Sequence, residues 1–241
     1  MQALILASGV GSRLYPLTKE LPKALVRINT QTILDMELCC LLDYGIRDII
    51  ITTGYKAEKI KEHILSKYPN INITLVNNHK YDSTNYIYSL WLAREFLNDD
   101  LILFHGDMVF EESVFKKLIN SPFPDAVLLN NKIIPPQKDF MAKVNNNSVK
   151  YIGVRLNSKH AVFCAPVYKL SRSSIQRWVQ QIDLFVNAGN VTCYAEDAFN
   201  QISDEIMLRP IYFENEFCME IDTHEDLIKA REYFKHTMNL R

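Results

Sequence analysis

The sequence predicts an α/β fold: a doubly wound, mostly parallel, Rossmann-like sheet with a small antiparallel portion in its second half. Three observations carry this. Buried-strand runs alternate with helical patterns through the first 130 residues. A glycine-bearing loop follows the first of those runs directly. After Lys132, three short strand patterns succeed one another with no helical pattern between them.

Gln2 to Ala7 is an apolar run of strand length, and it opens into a loop with Gly9 and Gly11. Ile33, Leu34, Leu38, Leu41 and Leu42 recur at helical spacing, and Gly45 suits the residue just past a helix end. Asp48 to Thr53 carries three consecutive isoleucines, a β-branched run that fits a central parallel strand. A charged helix over Ala57 to Ser66 and a strand over Ile71 to Asn77 complete the next unit. Asn85 to Phe96 reads as a helix, and Asp100 to Phe104 as a buried strand ending at His105-Gly106-Asp107. A helix over Ser113 to Ile119 leads to the strand Ala126 to Asn130. In the second half, strands are expected over Met141 to Val144, Lys150 to Leu156 and Ala161 to Tyr168, with Asn145-Asn146-Asn147 as a turn. Helices over Ser173 to Val186 and Glu196 to Ile202, a strand over Arg209 to Phe213 and a last helix from Thr223 follow. The antiparallel strands would wall one edge of the parallel sheet. We expect one domain of two halves, residues 1–130 and 131–241.

The 241 residues carry a net charge of −1 and 48% hydrophobic content, ordinary for a soluble globular chain. Nothing in that balance points to nucleic acid or to an anionic membrane, so an anionic ligand must be held by a local site. The N-terminal apolar run is too short for a span and has no basic region before it. The five cysteines show no Cys-x-x-Cys spacing, which fits reduced thiols in a cytoplasmic protein. Oligomeric state is not readable from the sequence.

The loop Leu6-Ala7-Ser8-Gly9-Val10-Gly11-Ser12-Arg13-Leu14 lets backbone N–H groups approach phosphate oxygens. A dinucleotide-binding loop wants a small residue where Leu14 stands, and a P-loop wants Gly-Lys-Ser/Thr; neither pattern fits. The run continues through Pro16-Leu17-Thr18 to Pro22-Lys23-Ala24-Leu25. As a whole it resembles the signature of the sugar-phosphate nucleotidyltransferase superfamily. The resemblance extends to Gly45-Ile46, to Thr53-Gly54-Tyr55, to Asp107 at a strand end and to Glu220-Ile221-Asp222-Thr223. It implies a type A nucleotidyltransferase fold, with residues 1–130 as a nucleotide-binding half and 131–241 as an acceptor-binding half, and a Mg²⁺-dependent transfer of a nucleoside monophosphate to a phosphate monoester.

The resemblance places functional residues in turn. Leu6, Ala7, Ser8, Gly9, Gly11 and Ser12 would cradle the nucleotide. Arg13 would neutralise the β- and γ-phosphates with its planar donor fork, and Lys23 would set a point charge near the reacting phosphates. Asp107 and Asp222 would hold Mg²⁺; the bland reading of either is a helix cap. Thr84 to Leu90 looks closer to phosphocholine cytidylyltransferases than to the sugar-1-phosphate branches. CTP is therefore the expected nucleotide, with Asn85 and Ser89 beside its base and a simple helix cap as the competing role for Asn85. His105 to Phe110, Lys138-Asp139-Phe140 and Cys193 to Ala198 resemble enzymes acting on phosphorylated amino alcohols, of the phosphocholine or L-glutamine phosphate type used in surface-polysaccharide decoration. Glu196 and Asp197 would face the acceptor's ammonium group, or else serve as first-turn acids of a helix. A sugar-1-phosphate nucleotidyltransferase and a non-catalytic nucleotide-binding regulatory module are the alternatives.

Overall fold

The computed structural model describes residues 1–133, 138–156 and 161–237. From β1 (Gln2–Leu6) the chain passes through 3₁₀ turns at Ser12–Leu14, Leu17–Lys19 and Lys23–Leu25. The short hairpin of β2 (Arg27–Ile28) and β3 (Gln31–Thr32) then leads into α1 (Ile33–Asp43). Next come β4 (Asp48–Thr53), α2 (Ala57–Lys67), β5 (Asn72–Asn77), α3 (Tyr86–Ala93) and β6 (Leu101–Phe104). β7 (Met108–Phe110), α4 (Glu112–Ile119) and β8 (Ala126–Asn130) close the first half. The second half comprises β9 (Phe140–Asn145), β10 (Ser148–Val154), β11 (Ala161–Leu170), α5 (Arg172–Asn187) and α6 (Ala195–Gln201). It ends with β12 (Arg209–Tyr212), β13 (Cys218–Glu220) and α7 (His224–Thr237).

The main sheet runs β5-β4-β1-β6-β11-β8-β12, all parallel except β11, which is antiparallel to both neighbours. β11 is long enough to share one edge between β6 and β9, and β9 carries β10 antiparallel beside it. β9, β10 and β11 are the expected antiparallel portion, but β11 is built into the sheet between β6 and β8 rather than walling its edge.

Strand alternation divides the core in two. Ala3 and Ile5 of β1 and Ile49 and Ile51 of β4 pack with α1, α2 and α4, through Leu38, Ile60 and Phe115 among others. Leu4, Leu6 and Ile50 pack on the other face with α3, α5 and α6, where Leu90, Trp178 and Phe199 are fully buried. Both faces of the parallel strands are therefore covered, which is why their sequences are continuously apolar rather than alternating. α1 starts with a Thr32–Asp35 capping box and stops before Gly45 at φ +77°. Asp35 is buried and also meets His63 (2.7 Å), Tyr68 (2.8 Å) and Lys67 (2.9 Å), which ties α1 to α2.

Four strands escaped the sequence reading, the two-residue β2 and β3 and the three-residue β7 and β13. β7 and β13 form a separate two-stranded antiparallel sheet. It rests on a third, smaller core of Leu14, Ile28, Val109, Ile221, Leu227 and neighbours under α7. At two or three residues each, these four strands give too little periodicity to be read from sequence.

Candidate active site

A cleft of about 370 Å³ opens beyond the C-terminal ends of β1 and β6. Strand order reverses here, since β1 is flanked by β4 on one side and β6 on the other; open α/β sheets place ligands at such points. Leu6, Ala7, Ser8, Gly9, Gly11, Ser12, Arg13 and Lys23 all line it, as do Asn85, Asp107 and Asp222. Two glycines keep it open. Gly11 sits at φ +67°, and a Cβ there would lie 2.9 Å from Lys23 Cβ. Gly106, at φ +73°, allows β6 to pass so close to β1 that a Cβ would fall 2.3 Å from the Leu6 carbonyl oxygen.

At one end the sequence-distant acids and bases converge. The β7–β13 sheet pairs Met108 with Glu220, and Ile221 N–H donates to the Asp107 carbonyl at 2.9 Å. Asp107, Glu220 and Asp222 consequently place carboxylate oxygens within 4.8 Å of one another. Lys23 Nζ bridges Asp107 (2.6 Å) and Asp222 (2.7 Å), and Arg13 reaches Asp222 at 2.9 Å. Lys138 approaches from the second half, 2.7 Å from Asp226 and 3.4 Å from Asp222. Neither aspartate caps a helix: Thr223 and Asp226 cap α7 between themselves.

Burial works against the Lys23 ammonium, but Asp107 and Asp222 outweigh it and hold its pKa above the ordinary lysine value. Burial would likewise raise Asp222, yet Lys23, Arg13 and Lys138 keep it below the usual carboxylate range. Glu220 goes the other way, pushed well up by burial and by Asp107, Asp139 and Asp222. Asp107 Oδ1 and Glu220 Oε1 are buried without a hydrogen-bond partner among the described residues. Three hard carboxylates, two of them with an unsatisfied oxygen, fit a divalent metal ion. The sequence expectation named two of these carboxylates; Glu220 is the third, readable only from its place in the Glu220-Ile221-Asp222 motif. Lys138 was likewise readable only as part of its segment.

Three expected residues sit elsewhere. Ser89 is fully buried and does not line the cleft; its Oγ lies 2.7 Å from Ser8 Oγ and 3.0 Å from Asn78 Nδ2. Glu196 is also fully buried, taken up by hydroxyls of Tyr86 and Tyr168 (2.8 Å for the latter) and by His105 Nε2 at 3.1 Å. Asp197 accepts from Tyr194 N–H at 2.9 Å in the first turn of α6, the helix-acid role. Both acids are held by these neighbours, and neither lines the cleft. Asn85 does double duty: it lines the cleft and caps α3, accepting from Tyr86 N–H at 2.7 Å. The rings of Tyr86, His105, Phe140 and Tyr194 line the cleft instead. Tyr86 lies 4.6 Å from His105 and 5.8 Å from Tyr194, and Phe140 lies 5.0 Å from Tyr194, between ring centroids.

Comparison with known proteins identifies the family and the fold. A family model described as nucleotidyl transferase matches residues 2–126. The chain is 36% identical over 136 residues to the CTP:phosphoglutamine cytidylyltransferase of Campylobacter jejuni, covering 54% of this chain and 53% of that one. It is 36% identical over 123 residues to the choline-phosphate cytidylyltransferase of Streptococcus pneumoniae, covering 51% and 52%. The chain spans about half the length of these curated relatives. Among solved structures, the CTP:phosphocholine cytidylyltransferase from Streptococcus pneumoniae matches with a TM-score of 0.80 at 26% identity, over 97% of this chain and 98% of that one. No helix among the described residues is long and apolar enough to cross a membrane. With the family model spanning just over half of its residues and the fold matching throughout, the chain belongs to the nucleotidyl transferase family.

Proposed function

We propose that this protein is a Mg²⁺-dependent cytidylyltransferase that transfers CMP from CTP to a phosphorylated amino alcohol, of the phosphocholine or L-glutamine phosphate type, for surface-polysaccharide decoration. One observation carries the reaction class: the Asp107–Glu220–Asp222 carboxylates and the Lys23 and Arg13 cations face each other across the end of a glycine-walled cleft.

An oxygen of the acceptor phosphate forms a bond to the α-phosphorus of the triphosphate. The bond from that phosphorus to the α–β bridging oxygen breaks, and pyrophosphate leaves with the electron pair. The acceptor is already an anion, so no side chain has to remove a proton. What opposes the step is repulsion between anions and misalignment, which fixed cations and a shaped cleft reduce. Arg13 is ion-paired to Asp222 but 58% exposed at its side chain, so its fork can swing onto the β- and γ-phosphates. Lys23 supplies its ammonium at the reacting phosphates, and Lys138 supplies one for the acceptor phosphate. Asp107, Glu220 and Asp222 would hold the Mg²⁺, which when bound neutralises phosphate charge. The base lies at the other end, against Ala7, Ser8, Thr84 and Asn85.

The ring wall of Tyr86, His105, Phe140 and Tyr194 supports an acceptor with a cationic head, because aromatic faces attract ammonium groups. Pyrophosphate release, measured with each of the four ribonucleoside triphosphates, Mg²⁺ and a panel of phosphate monoesters, tests the reading. The expected result is fastest release with CTP and a phosphorylated amine. A neutral sugar-1-phosphate turned over faster than every phosphorylated amine would assign the enzyme to the sugar branch instead.

A further inference from the structure

The displaced residue Ser89 belongs to a hydrogen-bond relay with a fixed direction. Asn78, just past β5, is 1% exposed. Its Oδ1 accepts from the Lys80 backbone N–H at 2.8 Å, and a backbone nitrogen can only donate, so the amide's orientation is settled. Nδ2 therefore donates to Thr84 Oγ1 at 3.1 Å and to Ser89 Oγ at 3.0 Å. Thr84 hands its own proton to the Lys80 carbonyl at 2.7 Å. Ser89 Oγ meets only Asn78 Nδ2 and Ser8 Oγ among the described residues. Ser89 is fully buried and has one proton to place, with Ser8 Oγ as its one possible acceptor among the described residues; the reverse direction would strand that proton in the core, so Ser89 donates to Ser8. The Ser8 proton is then left with no acceptor among the described residues. Ser8 is 6% exposed and lines the cleft, so this is a nearly buried donor awaiting a partner.

We propose that Ser8 is a specificity-determining residue whose hydroxyl donates to a ring acceptor of the nucleobase, with Asn78 and Ser89 as the positioning residues that fix its polarity, and that this donor selects cytosine over uracil. The inference rests on the cytidylyltransferase reading, which puts the phosphates at Gly11, Arg13 and Lys23 and hence the base at the Ser8–Thr84 end. Cytosine N3 bears a lone pair, whereas uracil N3 bears a hydrogen. A hydroxyl locked as a donor satisfies the first and meets a second donor in the other. Were Ser8 free to rotate, it could accept from uracil N3–H and the two bases would be read alike.

Calorimetric titration of the full chain with CTP and with UTP, each with Mg²⁺, tests this without knowledge of the acceptor. Wild type is expected to bind CTP more tightly. Ser8→Ala should weaken CTP about tenfold and UTP little. Ser89→Ala should weaken CTP and strengthen UTP, because the Ser8 hydroxyl is released to turn; a role in packing alone would weaken both equally. If Ser89→Ala does not fold, Ser8→Ala decides by itself. A CTP-to-UTP preference unchanged in the variants overturns the relay while leaving the cytidylyltransferase reading in place. A wild type that prefers UTP or a purine triphosphate overturns that reading and the relay together.

Discussion

Lys23→Met perturbs the charge balance at the centre of the cleft. In the wild type the Lys23 ammonium lies 2.6 Å from Asp107 and 2.7 Å from Asp222, with Glu220 in the same group of carboxylates. Methionine keeps the apolar stem and removes the charge. Asp222 would retain Arg13 at 2.9 Å and Lys138 at 3.4 Å, whereas Asp107 has no second cation within ion-pair distance among the described residues. Removing one partner of a buried pair costs about 3–5 kcal/mol. The surviving cations at Asp222 put this case at the low end, about 3 kcal/mol. For a chain of this size each kcal/mol shifts the unfolding midpoint by about 2–4 °C, so the variant in chelator should melt roughly 6–12 °C below wild type. Added Mg²⁺ can replace the missing charge directly, while in wild type it competes with the ammonium for the same oxygens. The Mg²⁺-induced rise in midpoint should therefore be larger in the variant by several degrees. Scanning fluorimetry in chelator and in Mg²⁺ measures both. A variant as stable as wild type in chelator, or a larger Mg²⁺ shift in wild type, would refute the argument that Lys23 is the countercharge of these acids.

Three further outcomes follow from the same geometry. Asp222→Asn should cut turnover about 10²–10³-fold with an unchanged circular dichroism spectrum, since charge stabilisation at the reacting phosphates is lost; near-normal turnover removes Asp222 from the centre. Asp35→Asn should lose about 3–5 kcal/mol in urea unfolding at neutral pH. Burial alone would raise the Asp35 pKa, but Lys67, the Thr32 N–H, His63 and Tyr68 hold it below the usual range. Its stabilisation is thus present above the unfolded value near 4 and fades as pH falls, and a deficit that persists in acid would contradict this. Asp139 behaves oppositely: burial, with Asp222 and Asp226 nearby and Lys138 opposing, pushes its pKa up to about 6. Wild type therefore loses stability relative to Asp139→Asn as pH rises from about 4 to 6, by at most about 3 kcal/mol, and the gap should stay level above that. Urea unfolding at several pH values in chelator measures it, and a gap that does not widen over that range refutes the shift.

Sequence by itself determined the parallel half of the fold, because local patterns settle such strands. The run of isoleucines in β4 and the aliphatic runs of β1 and β6 are buried on both faces, so each announces its own burial without knowing its neighbour. The glycine loop, Arg13 and Lys23 were legible too, since they lie in one continuous motif. Tertiary structure decided what depends on direction and distance. The β7–β13 sheet brings Glu220 and Asp222 to Asp107 across more than a hundred residues, and no local pattern encodes that register. Glu196 and Asp197 form an acidic pair in sequence, but one is sealed behind Tyr86 and His105 while the other closes a helix turn. Ser89 shares a segment with Asn85, yet Asn85, at the extended N-cap of α3, lines the cleft while Ser89, one turn further on, is buried behind Ser8. Residue type fixes what chemistry a side chain can perform. Where its polar atoms point is set by the packing of the whole sheet and its helices.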